Sequence, residues 1–168
     1  DDGVGVTNSA THTTGTDRYT FYHNAMKTAD SHYIKTDGGT IISATDERHT
    51  ASGISWCFRP TSTTRIEQYP LSMSVAKIAC VSGTAVNVEI WTRRDSTDIC
   101  GVLKVRGYQL AGVPDDIAVL CTPTINTWEQ STSLSFTPTE NVVVEVVFEV
   151  YDGVGTANNF WIDDLTVS

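Results

Sequence analysis

Phe160-Trp161-Ile162-Asp163-Asp164-Leu165-Thr166-Val167-Ser168 is the stretch whose reading decides the fold. A half-buried strand alternates inward and outward side chains with period two. Phe160 and Ile162 share one parity, whereas Leu165 and Val167 share the other. The apolar phase therefore flips at Asp163-Asp164. A strand that keeps one face in a core cannot change phase without an extra residue, so a β-bulge is predicted at the acidic pair. Two carboxylates at a bulge can re-aim a side chain or hold a hard cation. If they fall on opposite faces, at most one of them points at a metal.

Working outward, the preceding residues repeat the period-two signal. Val142, Val144, Val146, Phe148 and Val150 fall on one face, with Glu145, Val147 and Glu149 opposite. Val86, Val88 and Ile90 alternate with Asn87, Glu89 and Trp91, and Leu103 and Val105 alternate with Lys104 and Arg106. Leu71, Met73 and Val75 share a parity within 69–79, and Trp128 to Phe136 reads as a further strand with Thr132, Leu134 and Phe136 inward. Trp56 to Arg59 runs into Pro60, as strands often end. Turn signals separate these runs at Ser82-Gly83, Arg94-Asp95-Ser96, Gly107, Gly112 to Asp116, Asn126, Pro138-Thr139 and Asp152-Gly153. No window carries the 3.6-residue period of an amphipathic helix. The prediction is an all-β, antiparallel β-sandwich over residues 38–168, which the resemblance given below narrows to the jelly-roll type. Residues 1–37, rich in Thr, Gly, Asn and Asp, are read as an N-terminal arm or loosely structured first strands.

The composition narrows the function. With 40% apolar and 18% charged residues, 168 residues make one ordered domain with a sizeable core. The formal net charge of −9 gives no electrostatic footprint for nucleic acid and disfavours anionic membranes. No apolar run approaches the roughly 20 residues that span a bilayer; the longest, Val142 to Val150, contains Glu145 and Glu149. The sequence opens without Met, which is expected of a processed chain or a piece of something longer. Cys57, Cys80, Cys100 and Cys121 are spaced by 23, 20 and 21 residues, so a zinc knuckle is not expected. Disulfides and buried free thiols both remain open at this point.

Catalytic signatures are weak. Asp46-Glu47-Arg48-His49 reads as a salt-bridged loop rather than as catalytic machinery. His12, His23, His32 and His49 lack metal-type spacing, and there is no Gly-x-Ser-x-Gly elbow. Glu145 and Glu149 lie on one flat strand face without the cleft that a glycosidase pair needs, so they read as solvated residues. Val143 and Val147 on the same parity point to a face that is partly covered. Outward aromatics are the stronger signal, because an indole or phenol face suits either a sugar ring or a neighbouring subunit. Trp91, Trp161 and Tyr108 are the candidate glycan or partner contacts, with Trp56 and Trp128 as fillers.

Gly83 followed by valine-rich alternation into Trp91-Thr92-Arg93-Arg94 resembles a strand of carbohydrate-binding-module-like jelly rolls. Thr127-Trp128-Glu129-Gln130, Phe136-Thr137-Pro138-Thr139 and the Phe160 to Leu165 ending complete the resemblance, which covers roughly residues 50–168. A narrower set, Ala44 to Gly53, Arg59-Pro60-Thr61-Ser62, Tyr69-Pro70-Leu71 and Gly107 to Val113, resembles jelly-roll domains in virion structural proteins of marine tailed phages. That resemblance implies a non-catalytic capsid-decoration or fibre-type module on the virion surface. Its implied partners are capsid proteins or neighbouring copies in a homo-oligomer, together with a cell-surface glycan. The alternative is a secreted carbohydrate-binding module of a glycan-active enzyme. The jelly-roll resemblance also implies a structural Ca²⁺ at Asp163 or Asp164, completed by an acidic residue near the start: Asp1, Asp2, Asp17 or Asp30. The chain lacks the Asn-Gly-x-Phe-Glu-like opening of calcium-binding relatives.

Overall fold

A computed structural model describes residues 19–21, 34–35, 39–44, 46–50, 55–61, 70–107, 116–152 and 158–168. Among these lie β1 (Tyr19–Phe21), β2 (Ile34–Lys35), β3 (Gly39–Ala44), β4 (Ser55–Pro60), β5 (Leu71–Cys80), β6 (Val86–Arg94), β7 (Ile99–Gly107), β8 (Asp116–Cys121), β9 (Glu129–Gln130), β10 (Leu134–Phe136), β11 (Val142–Asp152) and β12 (Phe160–Val167). They form two sheets. Sheet I runs β1-β5-β11-β7-β8, with β2 also on β5; sheet II runs β10-β6-β12-β4-β3, with β9 also on β6. The named strands pair antiparallel throughout. The chain is thus an all-β sandwich. β1 and β2, from the segment read as an arm, both lie along the same edge of β5. Among the described residues no helix is long and apolar enough to cross a membrane.

The core forms where the inward rows of the two sheets meet. Val144, Val146, Phe148 and Val150 of β11 face Val88 and Ile90 of β6 and Phe160 and Ile162 of β12, all essentially buried. At its centre Phe148 lies between two rings, 5.7 Å from Phe58 and 5.5 Å from Phe160 by centroid, both tilted. Tilted pairs at this spacing suit the ring quadrupoles. Gly101 of β7 makes room for them: a Cβ there would collide with the Phe148 ring and sit 2.8 Å from Phe160 Cζ. Gly101→Ala is therefore expected to cost about 1–3 kcal/mol through overpacking, read as a lower urea midpoint with an unchanged slope.

The closing strand behaves as its sequence pattern requires. Asp163 pairs with Trp91 and Thr166 with Glu89, so β12 spends three steps against two on β6. Asp164 absorbs the extra residue with φ 43°. Phe160 and Ile162 before the bulge and Leu165 and Val167 after it all enter the core.

Three local readings need correction. β5 carries a second register shift: Val146 pairs with Ala76 and Val147 with Ser74, leaving Val75 extra. Leu71, Met73 and Val75 all enter the core, and after the shift Ala76, Ile78 and Cys80 do so on the other parity. The parity of 71, 73 and 75 concealed this phase change, because Val75 is itself apolar. Trp128 to Phe136 is not one strand; β9 and β10 are separate short pieces on β6. β8 was missed altogether. Ile117 and Val119 pack on the core while Leu120 is exposed, so an apolar residue on either face erased the alternation.

Candidate ligand-binding face

β6 turns Val86, Val88, Ile90 and Thr92 inward, which obliges Glu89, Trp91 and Arg93 to point out from sheet II. β12 adds Trp161 and Asp163 to that outer face, next to Cys57 of β4. Trp161 is only 8% exposed and forms a small apolar cluster with Ala44 and Cys57, with Trp128 packed against it. The Arg93 guanidinium lies 5.0 Å from the Trp161 ring centre, a cation–π contact. Arg93 also pairs with Glu47 at 3.0 Å and donates to Asn126. Beside it, Gln130 donates to Glu89 at 2.6 Å.

Residues 46–50, between β3 and β4, lie on this face, and the bulge holds them there. The backbone N–H of His49 donates to Asp163 Oδ2 at 3.0 Å. The His49 ring nitrogen Nδ1 meets Asp164 Oδ2 at 2.7 Å, and the Thr50 hydroxyl donates to the same oxygen. The imidazole then stacks on Trp91, with centroids 3.7 Å apart and planes 13° from parallel, and meets Trp128 edge-on at 5.9 Å. Both acidic side chains thus serve one loop. The left-handed Asp164 backbone turns its carboxylate to the side of Asp163, so the opposite-face case does not arise. Burial, followed by the adjacent Asp164 charge, pushes the Asp163 carboxyl above its usual range. Backbone N–H groups of His49, Asp164 and Thr50 pull the other way.

The described groups around Asp163 and Asp164 do not by themselves complete a calcium site. A Ca²⁺ ion needs six to eight oxygen acceptors, whereas the described groups turned toward Asp163 and Asp164 are proton donors. Among the described residues no group of three or more His, Cys, Asp or Glu side chains could hold a metal. The suggested completing residues Asp1, Asp2, Asp17 and Asp30 lie outside the described residues, as do His12, His23 and His32.

The two candidate tryptophans share a face and differ in access. Trp91 is half-buried with His49 on its ring, while Trp161 lies buried under Arg93. Tyr108 lies outside the described residues. Sequence reasoning missed Trp128 and His49 as members of the aromatic cluster. The spacing of His49 from Trp91 carries no periodic signal, because the contact is made by a loop.

Sheet I presents different chemistry. Glu149, expected to be solvated, is 4% exposed. It takes Lys104 at 2.7 Å, Arg106 at 2.8 Å and the Tyr151 hydroxyl at 2.8 Å. Burial alone would raise its pKa. The hydrogen bonds from Lys104 and Tyr151 and the charges of Lys104 and Arg106 together hold it below the usual range. Burial, then the bond to Glu149, pushes the Tyr151 phenol well up. The expected cover over this face is complete at Val147, 2% exposed, and partial at Val143, 49% exposed. All four cysteines are free. Burial drives the Cys57 thiol to about 11 and the Cys121 thiol to about 12, so neither is a ready nucleophile at neutral pH.

No protein-family model and no curated protein sequence matches the chain. Solved structures do. The enzymatically active domain of bacteriophage CBA120 tailspike protein 4 aligns with a TM-score of 0.58 at 15% identity, covering 90% of this chain and 19% of the tailspike. The module TmCBM61, solved with β-1,4-galactotriose, aligns at 0.54 and 16% identity, covering 80% and 86% of the two chains. A family 16 carbohydrate-binding module aligns at 0.52 and 13% identity over 80% and 89%. The chain thus spans about a fifth of the tailspike and most of each binding module. At these identities the likeness concerns the fold: a jelly-roll β-sandwich of the carbohydrate-binding-module type.

Proposed function

We propose that this chain is a non-catalytic adhesion module that binds neutral glycans on the outer face of sheet II, carried on the surface of a phage particle. One observation carries the glycan reading: an indole, Trp91, stands on the outer face of sheet II beside planar polar side chains, Glu89, Gln130 and Arg93, with His49 stacked on its ring. An aromatic plane meets the C–H face of a sugar, and flanking carboxylate, amide and guanidinium groups bond its hydroxyls. The net charge of −9 suits a neutral ligand. Trp161 underlies the platform, and Tyr108 is retained as a further contact. The likeness to TmCBM61, solved with β-1,4-galactotriose, and to a CBM22-1 xylan-binding domain supports the ligand class. The tailspike likeness supports the virion setting, in which capsid proteins or further copies of the chain are partners. The likeness to the CBM22-1 and GH10 modules of a xylanase and to an α-L-arabinofuranosidase favours a second reading: the same module in a secreted enzyme.

The test is affinity electrophoresis through gels containing soluble xylan or galactan. The wild-type chain is expected to be retarded, and Trp91→Ala to lose at least about tenfold in affinity, the scale of one lost aromatic stack. Equal migration of both proteins with and without glycan sinks the reading for these polysaccharides.

A further inference from the structure

We infer that residues 46–50, between β3 and β4, act as a lid, with His49 as an internal occupant of the Trp91 ring face. The inference rests on the reading of Trp91 as a sugar-stacking residue. The imidazole lies 3.7 Å above the indole and 13° from parallel, the place a stacked ligand ring would take. A sugar can reach that face only when His49 leaves it.

The lid is fastened at several points, each with its anchor on the sheet. Asp163 holds the His49 backbone, Asp164 holds the His49 ring and the Thr50 hydroxyl, and Arg93 holds Glu47. The Ser55 hydroxyl at the start of β4 donates to the Glu47 carbonyl, which ties the lid to that strand. Glu47 is 40% exposed at its side chain and His49 28%, while their anchors Arg93 and Asp164 are 12% and 15% exposed, so the lid side of each contact faces water and the anchor stays on the sheet. Closed and open states then compete for one surface, and ligand affinity falls by the fraction of time that the lid is shut. The bulge gains a purpose here: it brings both carboxylates to the side where the lid lands.

Two variants loosen the lid differently. His49→Ala removes the occupying ring. Asp164→Gly removes a latch carboxylate at a backbone φ of 43° that glycine accepts. Acrylamide quenching of tryptophan fluorescence, measured without ligand, reads access to Trp91 after subtraction of the same variant carrying Trp91→Phe. Both variants are expected to increase the Trp91 component. Titration with xylohexaose and β-1,4-galactotriose is expected to show about 3- to 10-fold tighter binding in both, the size of one released aromatic contact. Unchanged quenching in His49→Ala overturns the lid. Weaker sugar binding in His49→Ala also overturns it, since His49 would then be a ligand contact. Increased quenching with no binding of either sugar by any variant leaves the lid standing and counts against the proposed glycan function.

Discussion

Phe148→Ala is expected to lower stability by about 3–5 kcal/mol, the range for removing a buried aromatic side chain from a packed core. Phe148 has no solvent exposure and lies between Phe58 and Phe160. Its strand, β11, is central in sheet I and pairs with both β5 and β7. Strands on both sides restrain the backbone, so the site collapses little and the cavity remains. For a chain of this length the loss corresponds to a fall in Tm of roughly 10 °C. Gly101 opposite offers a check on the cause. Because its missing side chain is what admits the Phe148 ring, Gly101→Ala should cost much less in a Phe148→Ala background than in the wild type. Equal costs in the two backgrounds, read from urea midpoints, would show that the glycine acts through the backbone instead.

Glu149→Gln is expected to destabilise by about 2–4 kcal/mol, because it strands the largely buried Lys104 ammonium without its counter-charge. Arg106, 44% exposed at its side chain, can turn to water and adds less. The expected rescue is specific: Glu149→Leu combined with Lys104→Met should recover most of the loss, since removing both charges leaves nothing unpaired. The same carboxylate makes stability depend on pH. Its folded pKa lies below the ordinary glutamate value of 4.5, so the unfolded chain binds more protons in that window and stability rises with pH across it. The contribution is complete above about pH 5 and is lost as pH falls through the lowered folded value. In Glu149→Gln that acid-side slope should shrink; an identical slope in both proteins, measured by urea melts between pH 3 and 6, rules the mechanism out.

The sequence alone determined the sandwich and the bulge. Alternation along β6, β7 and β11 and the phase flip in β12 are local properties of a half-buried strand, so periodicity records them directly. β8, the extra residue at Val75 and the split between β9 and β10 escaped for the converse reason. Apolar residues stood on both faces, or the strand was too short to show a period. The candidate face was legible only in part. Trp91 could be placed outward by counting, but its company could not. His49 reaches Trp91 from a loop, Arg93 caps Trp161 across strands, and Asp163 and Asp164 are turned to one side by the φ of a single residue. Those contacts join residues far apart in sequence, with energies set by burial and geometry. Only the tertiary structure decided them, because a loop's path depends on what it lands on and not on any period of its own.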